Sequence, residues 1–154
     1  MNKPLLAISM AAVALCSANV AAALDLPSFF SDNMMLQQQS DARIWGKAPA
    51  GSTIAVTPSW SGRTVKTRAA ADGSWLLTVP TPAASFENYN IKISDGKESR
   101  TISNVLVGEV WLASGQSNME MPLRGFWTQP IEGAAHTIAY SGKYPGIRFI
   151  TVPK

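Results

Sequence analysis

Pro49-Ala50-Gly51, Ser61-Gly62, Asp72-Gly73 and Asp95-Gly96 punctuate residues 24–104, and each has the backbone permissiveness that a tight reversal needs. Between them recur short runs rich in β-branched and aromatic residues. They are 42–45 (Ala-Arg-Ile-Trp), 52–57 (Ser-Thr-Ile-Ala-Val-Thr), 64–67 (Thr-Val-Lys-Thr), 74–79 (Ser-Trp-Leu-Leu-Thr-Val), 89–93 (Tyr-Asn-Ile-Lys-Ile) and 100–102 (Arg-Thr-Ile). In the fifth run Tyr89, Ile91 and Ile93 fall on one face, and Asn90 and Lys92 on the other. Strands this short, reversing this often, predict a β-sandwich over residues 24–104.

The pattern changes at Val105. Residues 105–113 (Val-Leu-Val-Gly-Glu-Val-Trp-Leu-Ala) are nearly continuous in apolar side chains, as expected of a strand covered on both faces. A turn, Gly115-Gln116-Ser117-Asn118, follows, and Pro122 breaks the chain again. Residues 131–140 have modest helical character, and Pro145-Gly146 leads into a second apolar strand over 147–152. Strand, helix, strand over this length predicts a βαβ unit with a right-handed crossover. Two strands only begin a parallel sheet. The expected fold is therefore mixed: a β-sandwich over 24–104, then the start of an incomplete α/β domain over 105–154.

Residues 1–23 have the pattern of a secretory leader. Lys3 gives a basic start, residues 5–15 carry no charge, and Ala21-Ala22-Ala23 offers a small-residue cleavage site. The apolar stretch is short for a bilayer span, so cleavage near Ala23 and a secreted or periplasmic destination are expected, with no membrane attachment afterwards. Cys16, the single cysteine of the chain, lies inside this leader after a bulky Leu15, which disfavours lipidation. Stability must then come from a buried core and not from disulfides. Of the 13 Lys and Arg, Lys3 leaves with the leader, so 12 face 10 Asp and Glu. That balance argues against nucleic acid as a partner. A single histidine argues against a zinc site, and no metal or cofactor is expected.

Chemistry concentrates at Ser117. A hydroxyl at the end of an apolar strand is where α/β enzymes place a nucleophile. It needs a base, commonly a histidine oriented by a carboxylate, and donors aimed at the developing oxyanion. Gly115 permits close backbone packing, the Ser117 N–H can serve as one donor if a helix starts there, and Asn118 can brace the turn. Asn118 and Met119 follow the serine, so this is not the G-x-S-x-G elbow of α/β-hydrolases. Taken alone, a Gly-x-Ser-Asn run after a strand is more often a helix cap.

The surrounding residues make the run more specific. Gly108-Glu109-Val110-Trp111-Leu112 followed by Ser114-Gly115-Gln116-Ser117-Asn118-Met119-Glu120-Met121 resembles the first conserved block of the SGNH-type esterases, in the branch of sialate O-acetylesterases and related carbohydrate acetylesterases. The upstream run from Phe30 to Gln37, Ile44-Trp45-Gly46 and Asp72-Gly73-Ser74-Trp75 are similar to that family's N-terminal β-domain, and 147–154 to the segment after its first helix. The resemblance implies Ser117 as the acyl-accepting nucleophile, its N–H as an oxyanion donor, and an acetylated carbohydrate as substrate. The family's other donors, a Gly and an Asn, and its Asp-x-x-His block match nothing in this sequence, and Ala113 stands where many relatives have Cys. The expected function is thus the N-terminal part of a carbohydrate O-acetylesterase, inactive or nearly so as this chain. The alternative is a non-catalytic glycan-binding or scaffold β-sandwich.

Other residues weigh less. His136, within the expected helix, has no Asp-x-x-His context and reads as a surface or half-buried residue. Glu109 and Glu120 flank the turn and are expected to be solvated or paired. Trp45 and Trp75 sit in strand patterns and are expected in the core, whereas Trp60 and Trp127 fall in loops, Trp127 close enough to the turn to line a substrate pocket. Oligomeric state is unconstrained.

Overall fold

The computed structural model describes residues 23–152. All but the last residue of the expected leader, with Cys16, lies outside them. Strands β1 (Met35–Gln37), β2 (Asp41–Lys47), β3 (Thr53–Pro58), β4 (Val65–Arg68), β5 (Ser74–Pro80), β6 (Ser85–Ser94) and β7 (Ser99–Gly108) come first. Then follow α1 (Ser117–Glu120), the small hairpin β8 (Gly125–Phe126) and β9 (Gln129–Pro130), α2 (Ala134–Tyr140) and a 3-10 turn over Ser141–Lys143.

The six expected strand runs of residues 24–104 coincide with β2 to β7. The glycine of each anticipated turn, Gly51, Gly62, Gly73 and Gly96, has a positive φ. At Gly73 the requirement is also steric, because a Cβ there would lie 2.7 Å from the Ala48 carbonyl oxygen.

The strands form a five-stranded sheet in the order β1-β7-β6-β3-β4 and a separate ribbon of β2 and β5. Every pairing is antiparallel except β1 with β7, where Met35 to Gln37 run alongside Leu106 to Gly108. Alternation decides what each strand buries. From the ribbon come Ile44, Trp75, Leu77 and Val79; from the sheet come Ile54, Val56, Ile91, Ile93, Ile102 and Val105. These side chains, with Leu24 and Phe30, form one cluster, so sheet and ribbon share a core. Seven of them (Leu24, Ile44, Ile54, Val56, Ile91, Ile93 and Val105) have no exposed surface, and each contributes about 1.5–3 kcal/mol of transfer free energy.

The second half departs from expectation. The strand anticipated over 105–113 ends at Gly108, where β7 stops, and residues 109–115 have no regular structure. The strand anticipated over 147–152 does not form either; only the intervening helix does, as α2. Among the described residues there is thus no βαβ unit. The physical reason lies in what each segment can pair with. A parallel pair is sound only inside a larger sheet covered on both faces, and no strand flanks residues 109–113 or 147–152 among the described residues. Val105, Leu106 and Val107 instead bury themselves between β1 and β6, continuing β7 past residue 104.

Candidate functional site

The segment leading to Ser117 is aimed by three side-chain bonds from β1 and the residue after it. Gln37 Nε2 and Gln38 Nε2 donate to the two carboxylate oxygens of Glu109 at 3.0 and 2.6 Å. Gln37 Oε1 in turn accepts the Val110 N–H at 2.8 Å. The two amide donors hold the Glu109 carboxyl below its usual pKa. Glu109, read from sequence as solvated or paired, is the point where the chain leaving β7 is fastened to β1.

Beyond this clamp residues 110–116 are exposed, and α1 opens at Ser117. The N-cap position belongs to Gln116, with φ −107° and ψ −136°, and no side chain caps the helix. The capping role considered for Ser117 is therefore not the one it occupies. Ser117 is the first helical residue, where a backbone N–H has no intrahelical acceptor. Its carbonyl accepts from the Met121 N–H at 3.1 Å, and that of Gln116 from the Met119 N–H at 2.9 Å. Gly115 packs close, since a Cβ there would come within 3.1 Å of Met119 Cγ. Asn118 is the second residue of α1. Gly115 to Asn118 thus form the corner between an irregular segment and a single helical turn, with Gly115, Gln116 and Ser117 exposed.

His136 is not brought to this corner by any bond among the described residues. It stacks on Tyr140 within α2, with ring centroids 4.2 Å apart, and the Lys143 ammonium sits 4.2 Å from the same tyrosine ring. Glu120 closes α1 and is exposed. Trp127 projects fully into solvent at 99% exposure. Trp60 is half-buried, packed edge-on against Tyr89 and donating its indole N–H to the Pro80 carbonyl at 3.0 Å.

Of the two tryptophans expected in the core, Trp75 is there and Trp45 is not, at 40% exposure. The reason is strand alternation: with Ile44 facing the core, Trp45 must take the opposite face. It packs there against Phe29 and Phe30, with ring centroids 5.1 and 4.9 Å away.

One residue escaped sequence reasoning. Arg148 reaches back from the last described segment and donates to the carbonyl of Met34 at 2.9 Å, and to both the carbonyl and the side-chain oxygen of Asn104. A lone guanidinium in the apolar run 147–152 was the available signal. It fastens that segment to the β1–β7 junction.

No family model matches the chain. It is 25% identical over 166 aligned positions to the mouse sialate O-acetylesterase, covering 97% of this chain and 28% of that protein. It is 27% identical over 142 positions to the human sialate O-acetylesterase, covering 81% of this chain and 24% of that one. The chain therefore spans about a quarter of the length of these curated relatives. Among solved structures, a carbohydrate acetylesterase from Xanthomonas citri superimposes with a TM-score of 0.60 at 34% identity, over 66% of this chain and 23% of that one.

Proposed function

From this kinship with the sialate O-acetylesterases, which holds over part of their length, we propose that the chain is the nucleophile-bearing N-terminal part of a carbohydrate O-acetylesterase of SGNH type. In this reading residues 24–104, extended to Gly108 by β7, are a β-sandwich, and the residues after it begin an esterase domain. Ser117 attacks the acetyl carbonyl and its own N–H stabilises the oxyanion. A histidine held elsewhere in a complete site takes the proton, and water then releases acetate from the acyl-enzyme. The leader over 1–23 directs the protein to a secreted or periplasmic location, where acetylated glycans are met.

The observation that carries this reading is the position of Ser117. It stands exposed at the first residue of α1, at the end of a segment fixed to β1 through Glu109. His136, the single histidine, stacks on Tyr140 in α2 and is not hydrogen-bonded to Ser117 among the described residues, so the 154-residue chain alone is expected to hydrolyse little. Two measurements test the proposal. Purified chain and Ser117→Ala should release acetate from O-acetylated sialic acid at the same near-background rate; hydrolysis lost in the alanine variant would refute the expected inactivity. The coding sequence read on past Lys154 should contain an Asp-x-x-His block, and an active chain extended through it should lose activity in Ser117→Ala. Retained activity in that variant would overturn the nucleophile assignment.

A further inference from the structure

The β2–β5 ribbon, β4 and residues 25–27 together line a groove of about 820 Å³ that has no part in the Ser117 corner. Its walls are Trp45, Trp75 and Leu76, and its charged lining is Arg43, Lys47 and Arg68 against a single carboxylate, Asp25. The three cations are not equally committed. Lys47 is paired with Asp72 at 3.2 Å, and Arg68 spends its Nε–H on the Gly51 carbonyl at 2.7 Å. Arg43 forms no hydrogen bond or ion pair among the described residues, although cross-strand pairing with Thr78 fixes its place on the ribbon. Trp45, two residues further along β2, lines the same groove, and its ring is packed against Phe29 and Phe30. Trp75, also in the lining, has a buried indole N–H with no acceptor among the described residues.

From this combination we propose that the groove binds a carboxylated sugar residue, such as a uronic or nonulosonic acid. A braced indole offers a flat π-face to the C–H bonds of a pyranose ring at little cost in side-chain entropy. A guanidinium meets a carboxylate through two parallel N–H donors. The excess of cations in the lining favours an acidic over a neutral occupant by simple charge complementarity. The cavity has the volume of a small-ligand site. This site makes no use of Ser117, so it stands or falls separately from the esterase reading.

The test is a titration of the full chain, followed by amide NMR, with N-acetylneuraminic acid, glucuronic acid, neutral N-acetylglucosamine and sodium acetate. The acidic sugars should shift resonances of β2 and β5, with the neutral sugar and acetate each at least about tenfold weaker. Arg43→Gln, an exposed change, should bring acidic and neutral sugars to within about threefold of each other while leaving the melting temperature unchanged. Trp45→Phe should retain part of the affinity, and Ser117→Ala all of it. Equal binding of acidic and neutral sugar, acetate binding as tightly as sugar, an Arg43→Gln variant with unaltered preference, or no shifts in β2 and β5 at about 20 mM ligand would each overturn the proposal.

Discussion

Asp72 concentrates three bonds on one exposed carboxylate. Its Oδ1 accepts from the Ser74 hydroxyl at 2.6 Å and the Ser74 N–H at 2.9 Å, and its Oδ2 faces Lys47 at 3.2 Å. The Ser74 hydroxyl and N–H, followed by Lys47, hold its pKa at about 2. A carboxyl that is a stronger acid when folded than unfolded stabilises the fold above its unfolded pKa, near about 4, and loses that contribution as pH falls towards the folded value. Asp72→Ala should therefore lower the melting temperature at pH 7. The gap from the unmodified chain should then close between about pH 4 and about pH 2, as read by circular dichroism. Gln37→Ala makes a second residue-scale case. Without Oε1 the Val110 amide loses its acceptor, and its hydrogen exchange should speed up by about tenfold or more while amides within β3 and β6 keep their protection. Much at this scale was legible beforehand. The Asp72-Gly73 turn was read correctly, and Trp45 would have been too had the inward Ile44 been used to set its face. The partners of Glu109 were not legible, because Gln37 and Gln38 lie more than 70 residues away and only tertiary structure brings them near.

Among the elements, β2 to β7 could be read because each is bounded by local chemistry: glycine-bearing turns and period-two alternation. β1 could not. Three residues of Met35-Leu36-Gln37 carry no period, and the strand exists only because β7 offers a parallel edge to it. Over 147–152 the reverse holds: the apolar run has the composition of a strand but no partner to satisfy its backbone, and none forms. What holds that segment is Arg148, whose bonds to Met34 and Asn104 tie it to the β1–β7 junction. Arg148→Ala should release it. Limited proteolysis by trypsin at Lys143 should accelerate several-fold, while the melting temperature of the sheet changes by no more than about 2 °C. A large drop in melting temperature would instead make Arg148 part of the fold itself.

For the whole molecule, the contrast lies between a well-covered core and an uncovered remainder. Trp111, Leu112, Trp127 and Phe149 are each at least 85% exposed, and Ile147, Ile150 and Val152 are exposed as well. Apolar surface on this scale drives association in water. A chain ending at Val110 keeps the Glu109 clamp and every strand from β1 to β7 but none of that surface. It should stay monodisperse by light scattering at concentrations where the full chain self-associates. Equal behaviour of the two would mean that the exposed side chains are covered in solution.

The parallel pairing of β1 with β7 also sets a timetable. Gln37 and Glu109 are separated by 72 positions, so on a ribosome adding about 5–20 residues each second β1 is made roughly 4–14 s before its partner exists. Loops of this length close late, after the local reversals of β2 to β6 have formed. During synthesis the nascent chain therefore carries Met34, Met35 and Leu36 as an unclaimed apolar stretch. Its capture by β7 is the step that ends that exposure, and the same step brings Glu109 to Gln37 and Gln38, leaving Ser117 to emerge onto a frame already closed behind it.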